Sequence, residues 1–495
     1  MKLDEYAALD ATALAELIGR GEVTRTEVLD VARSAVIGVD SALGAVVGPI
    51  FNEALAHSSV GPLSGVPFAL KDLLCTAAGV PSEGGSRALA GNVASADSDL
   101  MKRWRAAGLA VICRSAVPEF GFSASTEPAA NGPCKNPWNL ERVAGGSSGG
   151  AAALVASGAL PVAHGNDAGG SIRIPAALCG LVGLKPTRGL VPPGPDFDEP
   201  LFGLTTEFAL TRTVRDAALL LDSVHGSAEG DRYHLRRWAS GTFSRAAGMR
   251  PRGLRIAVWT ATPEGVADTQ SDVAAEVERV GRALEQLGHR IDWATPDIDH
   301  ERLKQLTLTF WSASIADTAR ALAVGGQISD VLAAFEGTTA AMVRHGLPLS
   351  WAEVSKARAY QNELTRRMGR FLRTFDLLLT PTTRTVAWPV GELNADRHDL
   401  TAAAWVDTLA DYGSFTALHN VTGQPAISVP TGATADGLPI GVQLAAAPGR
   451  EDLLLGIAAQ LEELDRWSLR RPAVHAATLD SEGAQLAPRP ERLTR

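Results

Sequence analysis

Cysteine is scarce in this chain: four residues in 495, Cys75, Cys113, Cys134 and Cys179, far apart and with no C-x-x-C pair. No H-E-x-x-H occurs either. The sequence therefore indicates neither a disulfide framework nor a metal site. Long apolar runs are missing too, and none approaches the roughly 20 residues of a membrane span. The first residues, MKLDEYAALDATALAEL, carry acids early and lack the apolar core of a signal peptide, so a soluble cytoplasmic protein is expected. Positive charge is in deficit, with a formal net charge of −9. That argues against nucleic acid or an anionic membrane surface as partner. No internal repeat is seen. What is present is a globular composition, 45% hydrophobic and 20% charged, able to build a sizeable core.

The most informative stretch is Ala144 to Thr187, AGGSSGGAAALVASGALPVAHGNDAGGSIRIPAALCGLVGLKPT. It holds two serines in glycine-rich turns, Ser147 in GGSSGG and Ser171 in DAGGSIRIP. A Gly/Ser run by itself is most simply a flexible linker. Here, however, the turns alternate with a small-residue, helix-like segment and a short apolar run, which suits turns built into a core. Glycine admits φ > 0 and close approach. A serine presented between such turns, with free N–H groups beside it, suits acyl transfer.

Along the rest of the chain, Asp10 reads as the N-cap of a helix over 10–19, and Thr24 with Glu27 as the capping box of a second helix that Gly38 should stop. Residues 65–70 read as an apolar strand ending at Lys71, where the plain alternative is a lysine snorkelling from a strand edge. A helix over 96–108 precedes a strand over 109–113, and this alternation suggests α/β layering. Residues 254–293 read as a βαβ unit, 301–375 as mostly helical, and 452–464 as a closing helix. Phe122, Phe310 and Trp311 are either candidate walls of a pocket or ordinary core packing. The Pro/Gly/Asp-rich stretch after Thr187 is longer than a plain connection needs. From residue 473 the tail is poor in apolar residues and expected to be disordered, leaving 1–472 as one domain.

GGSSGG followed by D-x-GGSIRIPA and CG-x-VGLKPT resembles the amidase signature family of serine hydrolases. GVPFALKDLL (Gly65 to Leu74), NVTGQPAISVPTG (Asn420 to Gly432) and GLPIGVQL (Gly437 to Leu444) carry the resemblance through nearly the whole chain. Within the family, VAHGNDAGGS and GREDLLLGIAAQLE are most similar to the nylon-oligomer amidases, the 6-aminohexanoate cyclic dimer hydrolase branch. The resemblance implies an α/β fold, a large mixed β-sheet covered on both faces by helices, with a variable helical lobe near 300–375 that shapes the substrate pocket. It implies hydrolysis of a small-molecule amide, or a related carbamate or ester, without a cofactor. By it, Ser171 is the nucleophile, Ser147 a bridging serine after a cis peptide bond with Gly146, and Lys71 the base. Ala168, Gly169 and Gly170 would aim N–H groups at the oxyanion, and Ser148, Asp167 and Arg173 would support the turns. A homodimer is left open.

Two other enzyme readings stand beside this one. Gly145, Ser147 and Gly149 satisfy G-x-S-x-G, so an α/β-hydrolase could use Ser147 with His419. That reading wants a strand just before the serine, and NPWNLERVA is not strand-like; it also leaves Lys71 and the second turn without a role. The amidase subunit of a tRNA-dependent amidotransferase shares the same signature but would need partner subunits. A catalytically silent binding protein is opposed by the intact set of Lys71, Ser147 and Ser171.

Overall fold

The computed structural model describes residues 1–235, 237–263 and 265–479. Thirteen strands occur among them: β1 (Val46–Val47), β2 (Pro67–Lys71), β3 (Ala110–Ser115), β4 (Lys135–Asn136), β5 (Asn139–Val143), β6 (Val162–Asp167), β7 (Val182–Lys185), β8 (Thr206–Thr211), β9 (Arg255–Val258), β10 (Arg290–Trp293), β11 (Leu377–Pro381), β12 (Ala426–Ala433) and β13 (Pro439–Ala446). Eleven of them form one mixed sheet, in the order β1-β3-β2-β6-β8-β7-β12-β13-β11-β9-β10, with β4 and β5 in a separate hairpin. β3, β2 and β6 run parallel, whereas β8 returns antiparallel to β6. The fold is the expected α/β one, a large mixed sheet covered on both faces by helices.

β2, β3 and β6 are buried along their whole length, so neither face meets water; each opens on apolar residues and ends on polar ones, Lys71, Arg114–Ser115 and Asn166–Asp167. Trp104, fully buried, sits between Phe68 of β2 and Phe208 of β8, with ring centroids 5.3 and 6.5 Å away. β9 and β10 pair in parallel across the helix Ser271–Gln286, giving the expected βαβ unit. A second apolar core joins the helices His300–Leu322, Gly337–Gly346, Trp351–Thr374 and Ala402–Tyr412.

Local signals at helix starts hold. Asp10 accepts from the Ala13 N–H, and Thr24 and Glu27 form the capping box of Arg25–Leu43. The expected stop at Gly38 does not. The helix runs on to Leu43 and ends at Gly44, whose φ is +63°. Gly38 instead makes room, since a Cβ there would run into the Leu479 side chain. Leu479 belongs to the segment expected to be disordered, and that boundary also moves. Residues 473–479 are docked, with the Val474 N–H on Pro137 O at 3.0 Å and the Ala476 N–H on Ser157 O at 2.7 Å. Residues 480–495, the remainder of that expected tail, lie outside the described residues.

The site is positioned by the sheet. Lys71 ends β2 and Asp167 ends β6, neighbouring parallel strands. In open α/β sheets, ligands bind beyond the carboxyl ends of the strands. The two glycine-rich turns arrive at this edge, one entering the wholly buried helix Gly149–Ala156 and the other the buried helix Arg173–Cys179. They are built turns rather than linkers.

Candidate active site

Lys71 is fully buried, and its ammonium nitrogen has four oxygens around it. Nζ lies 2.8 Å from Ser147 Oγ, 2.8 Å from Ser148 Oγ, 2.6 Å from Asn166 Oδ1 and 3.4 Å from Asn166 O. Burial lowers its pKa to about 7, against the weaker upward pull of Glu207 and Asp167. The peptide bond between Gly146 and Ser147 is cis. Ser148 touches the lysine directly, a closer place than the supporting one expected for it, and its N–H donates to Ser171 O at 3.2 Å. Asn166 was not foreseen; its Nδ2 donates to Leu73 O at 3.0 Å, which fixes the side chain with Oδ1 towards Lys71.

The second turn is tied by Asp167. Its carboxylate accepts from Gly170 N–H at 2.8 Å and Ile172 N–H at 3.1 Å, and takes a two-pronged contact from Arg173 at 2.9 Å through both Nε and Nη2. Burial alone would raise this carboxyl, but the Arg173 guanidinium overrides it and holds Asp167 well below the usual carboxylate range. Arg173 also donates to Thr416 O, Gln443 Oε1 and Asn420 Oδ1 at 3.0, 2.7 and 2.6 Å. Asn420 lies in the NVTGQPAISVPTG motif and Gln443 in GLPIGVQL, so two motifs quoted only for likeness converge here. Gly170 has φ +136°, a conformation reserved for glycine, and a Cβ there would strike Thr416 Oγ1. Because the Gly170 N–H is already donated to Asp167, the amides of the turn left for a ligand are those of Ala168, Gly169 and Ser171.

Ser147, Ala168 and Ser171 line one cavity of about 680 Å³, together with Asn166, Leu73, Phe122, Trp311 and Ile315. Residues 196–201, from the long stretch after Thr187, close one side of it. Phe122 and Trp311 stand at its wall with ring centroids 5.4 Å apart. Phe310 does not line it; it is fully buried and stacks on Phe202 at 4.6 Å, because on a helix the neighbour of a wall residue points into the core. None of the described lining residues is a lysine or arginine, while Asp196, Asp198, Glu199 and Asp317 are among them.

His419 lies elsewhere. It is fully buried, its Nδ1 is 3.4 Å from Gln424 Oε1, and burial, with Arg173 adding to it, lowers its pKa to about 3. The residues before Ser147, expected not to be a strand, do form β5. That strand belongs to the small hairpin and not to the main sheet, so it does not make the strand-to-helix elbow of an α/β-hydrolase. Among the described residues, Cys75, His164 and Glu207 bring ligand-type atoms within 4.8 Å of one another. Both His164 nitrogens are already engaged, Nδ1 by the Lys71 N–H and Nε2 by Glu207, which leaves no lone pair for a metal.

A buried lysine against two serines, beside a GGS turn at the edge of an eleven-stranded sheet, defines a class of enzyme. The chain matches the Amidase family model over residues 50–455 and belongs to the amidase signature family, hydrolases acting on carbon–nitrogen bonds other than peptide bonds. It is 40% identical to 6-aminohexanoate-cyclic-dimer hydrolase of Paenarthrobacter ureafaciens, over 94% of this chain and 96% of that one. The solved structure of a 6-aminohexanoate cyclic dimer hydrolase superposes with a TM-score of 0.88 at 37% identity, covering 94% of this chain and 99% of the other. A glutamyl-tRNA(Gln) amidotransferase subunit of Thermotoga maritima shares the fold at a TM-score of 0.75 and 27% identity, covering 95% and 98%. No helix among the described residues is long and apolar enough to cross a membrane.

Replacing Arg173 with methionine should leave Asp167 buried without its cation. The expected loss of stability is about 3–5 kcal/mol, read by chemical denaturation against the parent chain; a loss below about 1 kcal/mol would contradict the anchoring role of this pair.

Proposed function

We propose that the chain hydrolyses an amide through an acyl-enzyme on Ser171, with Ser147 and Lys71 carrying the protons. The observation that carries this reading is the 2.8 Å contact between Lys71 Nζ and Ser147 Oγ, on the wall of a cavity that Ser171 also lines. The shell around Nζ suits both protonation states. A neutral amine donates to Asn166 Oδ1 and Ser148 Oγ and accepts from the Ser147 hydroxyl; an ammonium donates to all three. Ser148 Oγ–H can donate a hydrogen bond to Asn166 O, 3.3 Å away.

Ser171 Oγ attacks the carbonyl carbon while its proton moves to Ser147 Oγ, whose own proton moves to Lys71 Nζ. The oxyanion is held by the N–H groups of Ala168, Gly169 and Ser171. The C–N bond breaks as Lys71, through Ser147, returns the proton to the leaving amine. Water then cleaves the ester on Ser171 by the same route and restores the serine. A base working near neutral pH is favoured by a pKa near the ambient one, and that of Lys71 is about 7.

The substrate class follows from the walls. Phe122, Trp311, Leu73 and Ile315 suit an apolar chain beside the scissile carbonyl. The similarity to 6-aminohexanoate-cyclic-dimer hydrolase supports a linear or cyclic aliphatic amide. In this reading the enzyme acts on a small molecule in the cytoplasm, alone or as a homodimer, and engages neither nucleic acid nor a membrane. The lower likeness to the amidotransferase favours a stand-alone hydrolase.

Peptide mapping after treatment with a serine-directed phosphonate tests the mechanism. The adduct is expected on Ser171, with labelling and turnover abolished in Ser171→Ala; an adduct on Ser147 of the parent chain would overturn the assignment. For the substrate, adding a carboxylate next to the scissile bond of an aliphatic amide should lower kcat/KM, because acids and no lysine or arginine line the cavity. A strong rise in kcat/KM would contradict that reading.

A further inference from the structure

Behind Lys71 lies a buried pair that the chemistry above leaves unused. His164 is on β6 and Glu207 on β8, the two strands that follow β2 in the sheet. The Lys71 N–H donates to His164 Nδ1 at 3.2 Å, so a neutral ring carries its proton on Nε2. Nε2 in turn lies 2.6 Å from Glu207 Oε2. The other carboxylate oxygen, Oε1, is buried without a hydrogen-bond partner. A carboxylate buried with so little support is expensive to keep.

The other acids beside Lys71 each face an arginine. Asp72 meets Arg114 Nη1 at 2.8 Å and Asp167 meets Arg173 Nη2 at 2.9 Å. Glu207 makes no such ion pair with arginine or lysine among the described residues; its partner is His164. Cys75 completes the cluster, its Sγ 3.3 Å from Ser98 Oγ, and burial pushes its thiol well up, so it adds no charge.

We propose that Glu207 and His164 are positioning residues for Lys71: His164 anchors the main chain under the side chain, and Glu207 supplies a negative charge that no arginine neutralises. This rests on Lys71 being the base. Among the forces on Lys71, burial favours the neutral amine and Glu207 is the largest pull towards the ammonium. The pair thus stops the lysine from becoming too weak a base to accept the serine proton. The sign follows: without the Glu207 charge the ammonium is less favoured, the neutral form persists to lower pH, and the acid limb of activity moves down.

The test is the pH dependence of kcat/KM with a chromogenic aliphatic anilide, for the parent chain, Glu207→Gln and His164→Leu. Glutamine still accepts from His164 Nε2–H but carries no charge. Its acid limb should lie about one pH unit below that of the parent. An unmoved limb in folded Glu207→Gln overturns the proposal. Should that variant not fold, His164→Leu decides: it leaves no acceptor for the Lys71 N–H, and kcat should fall about tenfold with KM within twofold. An unchanged kcat there overturns the proposal as well. A parent profile with no acid limb near neutrality would instead strike the assignment of Lys71 as base, and so separates the two failures.

Discussion

A lysine buried at the end of a β-strand must find oxygen for every proton it holds, and the architecture around β2 supplies it. Nζ of Lys71 has the two serines of the first turn on one side and both oxygens of Asn166 on the other. These come from separate parts of the chain, which only the pairing of β2 with β6 brings together. Water is excluded, so the charged form is disfavoured and the group comes to rest near neutral pH. Without the sheet the lysine would be an ordinary surface cation; without the oxygens it could not be buried.

The second turn has a different anchor. Asp167 gathers the amides of Gly170 and Ile172, and Arg173 ties that carboxylate to Thr416, Asn420 and Gln443. The turn that carries Ser171 is thereby fastened to chain more than 240 residues away. Since both Asp167 and Arg173 are fully buried, the pair is of the kind whose removal from one side is severe.

Much of this was legible in the sequence, for physical reasons. Two glycine-flanked serines and a lysine closing an apolar strand are unusual enough to stand out, and helix starts at Asp10 and Thr24 follow from side-chain hydrogen bonds made within four residues. What escaped depends on distant neighbours. Gly38 looks like a stop, but it is a gap for Leu479. Phe310 and Trp311 look alike, but helical geometry sends one to the core and the other to the cavity. Asn166 lies just past the short apolar run read at 160–163, and its place beside Lys71 appears only when β2 lies next to β6. The Gly170 amide looked free for an oxyanion, but the carboxylate three residues earlier takes it.

Everything in this site turns on the proton affinity of Lys71. It can be read directly by nuclear magnetic resonance of enzyme carrying 13C at lysine Cε, with the Lys71 signal identified by its loss in Lys71→Met. The expected titration midpoint of that signal is about 7. A midpoint at the ordinary lysine value, above about 10, would contradict a buried lysine acting as the base.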